Sequence, residues 1–224
     1  MDCDRMNDQR PHDPRASYDA VADDYASRIA AELQRKPFDR MLLDQFAERV
    51  RDLGRVADIG CGPGHVARYL RDRGVAVVGI DLSPRMIECA RKLHPAVEFQ
   101  QADMEALSVP GETWAGIVAF YSLIHVPRER VVATLREFRR VLRPRGLLLL
   151  AFHVGAEVVH LDEWWGHRVS VDFVFFRSDE VKSYLTAAGF EVERSTERDP
   201  YPPEVEHQSR RGYILARVAA RDAT

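Results

Sequence analysis

The segment that most constrains the fold is a glycine-rich turn between an apolar run and a helical pattern. Residues 58–64 read DIGCGPG, and residues 56–59 have the composition of a buried strand. The glycines Gly60, Gly62 and Gly64 let the backbone turn tightly and approach a ligand that a Cβ would block, and the helix start that follows favours polar or anionic groups. A strand, such a turn and a helix predict an α/β unit with a ligand at the turn.

The rest of the chain repeats this alternation of strand and helix patterns. Strands are predicted at residues 56–59, 75–80, 97–101, 116–120, 147–152, 190–197 and 211–218. Helices are predicted at residues 17–33, with Ser17 as N-cap, and at 38–53, 65–73, 84–93, 128–141 and 178–188. The proline-rich connection before residue 211 leaves no room for a crossover helix. We therefore expect a seven-stranded, mostly parallel sheet with helices on both faces and an antiparallel last strand.

A carboxylate at the end of the second predicted strand narrows the choice of ligand. Asp81 lies 21 residues after Gly60, where a carboxylate can accept hydrogen bonds from both hydroxyls of a ribose. Taken alone, Asp81 could cap the helix that begins near Pro84, and Asp103 could cap a short turn. Together with the glycine turn at this spacing, Asp81 indicates a cofactor that contains adenosine.

These motifs resemble those of the class I S-adenosylmethionine-dependent methyltransferases of the small-molecule type. The DxGxGxG signature of that family is matched by residues 58–64, and the dipeptide Asp81–Leu82 follows in order. Segments 102–104 (ADM), 120–126 (FYSLIHV) and 135–146 match later elements of the family. The resemblance implies a Rossmann-like α/β fold and an enzyme that transfers the methyl group of S-adenosyl-L-methionine. A non-catalytic protein that binds this cofactor and an NAD-dependent oxidoreductase are the alternatives.

The resemblance also implies a set of cofactor-binding residues. Gly60 and Gly62 would lie against the methionine portion, Asp103 would bind the adenine amino group, and Leu82 and Met104 would flank the adenine ring. Tyr18 and Tyr25 match aromatic residues of a leading helix that close over the cofactor, although core positions of an amphipathic helix would explain them equally well. The full predicted set is Tyr18, Tyr25, Asp58, Gly60, Cys61, Gly62, Asp81, Leu82, Met86, Asp103, Met104 and Phe120.

Residues 153–176 form an irregular, aromatic stretch that corresponds to the variable acceptor region of the family. Bulky aromatic side chains supply buried area, so we expect a cavity wall and an apolar or aromatic small-molecule acceptor. The predicted acceptor-binding residues are Tyr121, His153, His160, Trp164 and Trp165. The sequence identifies neither the acceptor nor the atom that is methylated (O, N, S or C).

His125 is the candidate general base, because it lies just past the fourth predicted strand, where open parallel sheets bind their ligands. An imidazole there could remove the proton of a hydroxyl or phenol acceptor. A buried histidine with a structural role is the alternative.

Charge and composition exclude several classes of partner. A net charge of -3 offers no general attraction to nucleic acid or to an anionic membrane. The longest apolar run, residues 147–152, is far below the ~20 residues that span a bilayer. Neither the three cysteines nor the histidines have the spacing of a metal site, so no metal is expected, and the cysteine usage suits a cytoplasmic location. The oligomeric state stays open.

The predicted domain organisation is simple. Residues 1–14 are expected to form a disordered tail, and residues 15–224 a single methyltransferase domain. Within it we distinguish the leading helices (15–54), a cofactor-binding core (55–152), a variable acceptor-pocket segment (153–177) and the final helix with a strand pair (178–224).

Overall fold

Strands and helices alternate along most of the computed structural model, which describes residues 12–220. The strands are β1 (Val56–Ile59), β2 (Val77–Asp81), β3 (Glu98–Gln101), β4 (Trp114–Phe120), β5 (Leu142–His153), β6 (Val158–Trp164), β7 (His167–Val174), β8 (Phe190–Arg198) and β9 (Arg211–Val218). The helices are α1 (Pro14–Ile29), α2 (Pro37–Val50), α3 (His65–Arg71), α4 (Pro84–Leu93), α5 (Arg128–Val141) and α6 (Ser178–Ala187). Short 3₁₀ turns cover Glu32–Arg35 and Leu123–His125.

Seven of these strands form one sheet in the order β3-β2-β1-β4-β5-β9-β8. Strands β1 to β5 are parallel, and β9 is antiparallel to both of its neighbours. The predicted seven-stranded, mostly parallel sheet with an antiparallel last strand is confirmed. Because the strand order reverses between β1 and β4, their carboxyl ends leave a crevice at the edge of the sheet where the glycine turn lies.

Alternate side chains of the central strands enter two separate cores, one on each face of the sheet. In β4, Ile117 joins the core that contains Phe138 of α5 and Leu185 of α6, whereas Val118 joins the core that contains Phe46 of α2. A strand covered on both faces is apolar at successive positions rather than at every second one. This explains the continuous apolar runs in the sequence, and it confirms helices on both faces.

The first helix begins earlier than predicted. Pro14 opens α1, and the carboxylate of Asp13 caps it by accepting from the Ala16 N–H at 3.0 Å. The prediction of Ser17 as N-cap was wrong, because Ser17 is buried inside the helix and its hydroxyl accepts from the Ser170 N–H at 2.9 Å. The last two residues of the predicted tail, Asp13 and Pro14, are therefore the N-cap and the first residue of α1, and residues 1–11 lie outside the described residues.

The stretch 153–176 is not irregular, because β6 and β7 form an antiparallel hairpin within it. Its turn contains Trp165 and Gly166, both with positive φ (53° and 83°), as in tight hairpin turns. Val169 and Val171 of β7 are buried against Val21 of α1, so the hairpin lies on the leading helix. A register shift between Leu161 and Glu163 interrupts the alternation of β6 and hides the strand pattern in the sequence.

We expect Phe138→Ala to lower the free energy of unfolding by about 3–5 kcal/mol, because Phe138 is fully buried in the core under α5 and its removal leaves a cavity. Leu93→Ala is the matched control, since 46% of Leu93 is exposed, and it should cost less than about 1 kcal/mol. Urea unfolding of both variants measures the difference. Equal losses would contradict the assignment of Phe138 to the core.

Candidate active site

A cavity of about 290 Å³ lies at the carboxyl ends of β1, β2 and β4; we call it the first cavity. It contains the glycine turn on one side and residues of α1 on the other. Of the predicted cofactor-binding residues, those that line it are Tyr18, Tyr25, Asp58, Gly60, Cys61, Gly62, Asp81, Leu82, Asp103, Met104 and Phe120. The structure therefore brings together residues that are up to 102 positions apart in the chain, from Tyr18 to Phe120.

Two glycines of the turn are required for different reasons. Gly60 has a φ of 71°, and a Cβ there would collide with the Cβ of Ser122. Gly62 has a φ of 52°, but a Cβ there would meet only the ring of Tyr25, at 3.7 Å. Both conformations favour glycine. A side chain at position 60 would thus clash with Ser122. At Gly62 the space beside the backbone is open, so a ligand can approach the backbone there.

Asp81 closes the turn and still faces the first cavity. Its Oδ2 accepts from the Gly62 N–H at 2.8 Å and its Oδ1 from the Ser83 N–H at 2.9 Å. Each carboxylate oxygen has a second acceptor position, so Asp81 can hold the turn and bind hydroxyl groups together. Burial raises the pKa of this carboxyl to about 6, although the two backbone hydrogen bonds oppose the shift.

The first cavity is strongly acidic. Its lining has one arginine, Arg130, and the carboxylates of Glu32, Asp58, Asp81, Asp103 and Glu105. Burial also raises the pKa of Asp58, to about 7, and its Oδ2 accepts from the Ala67 N–H of α3 at 2.9 Å. Asp103 accepts from the Glu105 N–H at 2.9 Å, so it does cap a short turn while it lines the cavity. An excess of negative charge in a partly enclosed space favours a cationic ligand.

Met86 does not line the first cavity, so the structure contradicts its prediction as a cofactor-binding residue. Its side chain is fully buried between α1 and α4 with Ala22, Ala26 and Cys89. Met86 lies in the first turn of α4, where the helix presents it to α1 rather than to the edge of the sheet. Its role is packing.

A larger cavity of about 780 Å³, the second cavity, lies beside the first. Four side chains line both cavities and form what we call the junction: Tyr18, Tyr25, Glu32 and Tyr121. The predicted acceptor residues that line the second cavity are Tyr121, His153, Trp164 and Trp165. Trp164 meets Tyr18 and Tyr25 edge to face, with ring centroids 5.4 and 5.6 Å apart, so the hairpin and α1 share this wall.

His160 is the exception among the predicted acceptor residues, because it lines neither cavity. Val159 and Leu161, its neighbours in β6, line the second cavity, and alternation along the strand turns His160 to the other side. There its Nδ1 lies 2.6 Å from Asp172 Oδ1 and its Nε2 3.1 Å from Asp162 Oδ1. The hydrogen bond to Asp172 raises the pKa of His160.

His125 lines the first cavity, but both of its ring nitrogens are engaged. Nδ1 lies 2.9 Å from the carbonyl oxygen of Asp172, which can only accept, so Nδ1 carries the proton. Nε2, 2.8 Å from the Tyr18 hydroxyl, therefore accepts a hydrogen bond from it. Burial lowers the pKa of His125 to about 4. This geometry fits a histidine that positions Tyr18 better than it fits a general base.

Several residues of the site were not predicted from the sequence. Glu32 accepts from Lys36 Nζ at 2.6 Å and from His65 Nε2 at 3.0 Å; these contacts lower its pKa to about 2 although burial opposes them. The spacing of Glu32 and Lys36, four residues apart, is a signal for an ion pair. Arg211 carries no such signal, because only folding brings it to the second cavity.

Among residues 12–220, no group of three side chains has the arrangement of a metal site. No helix within the same range is long and apolar enough to cross a membrane.

Part of the chain is similar in sequence to known methyltransferases. Residues 56–146 match the family model described as a methyltransferase domain. The chain is 31% identical over 138 residues to the malonyl-[acyl-carrier protein] O-methyltransferase of Enterobacter lignolyticus, a match that covers 60% of this chain and 51% of the relative. It is 30% identical over 137 residues to the putative methyltransferase YqeM of Bacillus subtilis, covering 59% and 52%. The chain thus spans about half the length of these curated relatives.

Solved structures share the fold over more of the chain. A structure described as a DhpI–SAH complex superposes with a TM-score of 0.69 at 24% identity, covering 92% of this chain and 95% of that one. A putative methyltransferase in complex with the Trm112 activator of Haloferax volcanii gives 0.70 at 19% identity, covering 95% and 100%. The family model matches residues 56–146, less than half of the chain, and these solved structures, which are below 25% identity, share its fold.

Proposed function

We propose that this chain transfers the methyl group of S-adenosyl-L-methionine to a small-molecule acceptor. The observation that carries the proposal is the acidic lining of the first cavity, where Asp58, Asp81 and Asp103 have no ion-pair partner among residues 12–220. The proposed cofactor has a sulfonium and an ammonium group against one carboxylate, so its net charge is positive. A dinucleotide with an anionic pyrophosphate would be repelled by the same lining.

The residues of the first cavity fit this cofactor group by group. The backbone at Gly62 is open to the cavity, which suits close contact with the methionine portion. Asp81 has acceptor positions left for two ribose hydroxyls, and Asp103 has a second carboxylate oxygen for the adenine amino group. Leu82 and Met104 line the same cavity and supply apolar contacts for the ring. The bound cofactor would supply an electrophilic methyl carbon on a positively charged sulfur.

The contribution of the chain to the reaction is alignment and exclusion of water. The junction residues Tyr18, Tyr25 and Tyr121 separate the two cavities and fix the direction in which an acceptor meets the cofactor. Holding the reacting atoms in line contributes up to ~7 to 11 kcal/mol in favourable cases. The names of the relatives, several of which are O-methyltransferases, support methyl transfer as the activity.

The acceptor would bind in the second cavity, between the β6–β7 hairpin and α1. Its lining includes Trp164, Trp165, Phe173 and Phe175, and this aromatic surface supports an apolar or aromatic acceptor. A cytoplasmic location remains a prediction.

We expect Asp81→Asn to weaken binding of S-adenosylmethionine by about 30-fold, because the variant loses the charge of a carboxylate that accepts hydrogen bonds from the ribose. Calorimetry measures the affinity, and NAD should give no comparable binding. Asp199→Asn is the control, because 88% of that side chain is exposed outside the site.

The same carboxyl makes the affinity depend on pH. Since the pKa of Asp81 is raised to about 6, native binding should be full above that pH and should weaken as the pH falls through it. Asp81→Asn should lose most of this step. An unchanged affinity for S-adenosylmethionine in the variant would show that Asp81 does not bind the cofactor.

We expect Trp165→Ala to impair methyl transfer more than cofactor binding, because Trp165 lines only the second cavity. Val158→Ala, at an exposed position of the same hairpin, should change neither quantity. Turnover and calorimetry on the same protein samples measure the two effects. Equal losses of turnover and of cofactor affinity would indicate a structural role instead.

We expect His125→Gln to reduce turnover by less than about tenfold and to leave the shape of the pH profile intact, because the glutamine oxygen can still accept from Tyr18. A general base would behave differently: its loss costs about two or more orders of magnitude and removes the acidic limb of the profile. Rates across pH, with cofactor affinity measured separately, distinguish these outcomes. Tyr18→Phe tests the partner of the same hydrogen bond.

A further inference from the structure

The second cavity differs from the first in its charge. The cations that line it are Arg28, Arg35, Lys36 and Arg211. The carboxylates that line it are Glu32, Glu204 and Glu206. The small cationic excess contrasts with the acidic first cavity, so the two cavities suit ligands of opposite charge.

Two of these cations are almost completely buried and lie close to the junction. The side chains of Lys36 and Arg211 are 5% and 3% exposed. Lys36 Nζ lies 5.7 Å, and the Arg211 guanidinium carbon 5.3 Å, from the ring centroid of Tyr121, a junction residue. Lys36 Nζ is 2.6 Å from Glu32 and 3.6 Å from Glu206. Because an ammonium has three N–H donors, one remains for a ligand.

His153 adds a neutral donor to the same part of the second cavity. Arg211 donates to its Nδ1, and the Ser209 hydroxyl lies 2.7 Å from the same atom. The proton of the imidazole is therefore on Nε2, for which residues 12–220 provide no hydrogen-bond partner. Burial and the charge of Arg211 lower the pKa of His153 to about 2, so it stays a neutral donor.

No side chain at the junction is free to take a proton from an acceptor. Tyr18 donates to His125, and burial raises the pKa values of Tyr18, Tyr25 and Tyr121, so these hydroxyls keep their protons at neutral pH. Glu32 is held by Lys36 and His65 and remains a carboxylate of low pKa. An alcohol or a phenol needs a base for efficient methylation, whereas a carboxylate is already ionised at neutral pH.

We propose that the acceptor is an apolar carboxylic acid, bound as its carboxylate against Lys36 and His153 and methylated on a carboxylate oxygen. The proposal rests on the methyltransferase function above and names its substrate class. A lone pair of the oxygen forms the new O–C bond. The C–S bond of the cofactor breaks, and its electron pair remains on sulfur, which becomes a neutral thioether. The product is a methyl ester, and no proton moves.

The test compares acids with alcohols of the same skeleton. Purified protein and S-adenosylmethionine are incubated with decanoate or 4-phenylbutyrate, and in parallel with decan-1-ol or 4-phenylbutan-1-ol. We expect methyl esters from the acids, detected by mass and lost on mild alkaline hydrolysis, and no product from the alcohols. With saturating S-adenosylmethionine, turnover of the acids should be flat between about pH 6.5 and 8.5, because the carboxylate of the acceptor is fully ionised throughout.

Two variants test the proposed contacts. Lys36→Gln should raise KM for the acids by about tenfold, the loss expected for one charge-assisted hydrogen bond. His153→Phe keeps an aromatic ring beside Phe175, removes the Nε2–H donor, and should raise KM in the same direction without changing cofactor affinity. Lys182→Gln, at a partly exposed position of α6 outside both cavities, is the control and should change nothing.

The outcomes separate the two proposals. If the protein binds S-adenosylmethionine but neither binds nor methylates any of the acids, or prefers the alcohols, the carboxylate proposal is wrong and the methyltransferase function stands. Unchanged KM values in both variants would also overturn the proposed contacts. If the native protein does not bind S-adenosylmethionine at all, the failure lies in the proposed function itself.

Discussion

The hydrogen bond between the Gly62 N–H and the Asp81 carboxylate is the contact on which the site depends. It joins the turn after β1 to the end of β2, so two neighbouring parallel strands present their loops in one fixed arrangement. Gly62 has a positive φ of 52° in this turn, which a glycine adopts without steric cost. The hydrogen bond also holds a carboxylate in a buried position, and this raises the pKa of Asp81 to about 6. A cationic ligand in the first cavity would offset the cost of burying the charge of Asp81.

The second structural element of the site is the leading helix, which closes the crevice from outside the sheet. Ser17 of α1 accepts from the backbone of β7, and Tyr18 donates to His125 after β4. His12 adds two further contacts, since its Nδ1 accepts from the Asp172 N–H and its Nε2 donates to the carbonyl oxygen of His125. These bonds connect α1, the hairpin and the end of β4. The junction between the cavities is therefore positioned by hydrogen bonds from α1, from the β6–β7 hairpin and from the end of β4.

The alternation of strand and helix patterns was sufficient to predict the sheet, because each unit of a parallel sheet is encoded locally. The glycine turn and Asp81 carry strong local signals, and the structure places them together as their spacing indicates. The hairpin at residues 158–174 was missed because its alternation is interrupted by a register shift and by two consecutive tryptophans. Met86 and His160 were misplaced for a related reason: which face of a helix or strand meets a cavity depends on what packs against it. Sequence position alone cannot supply that information.

By itself, the sequence determined the fold class and the segments that surround the first cavity, since strand, turn and helix propensities act over a few residues. Only the tertiary structure decided the chemistry of the junction. It engaged both ring nitrogens of His125, one with the Tyr18 hydroxyl and one with the carbonyl oxygen of Asp172. It also brought Lys36, His153 and Arg211 around Tyr121, although they are separated by up to 175 residues in the chain. Hydrogen-bond partners and burial are properties of the packed chain, and they set the pKa values and donor groups on which the reaction depends.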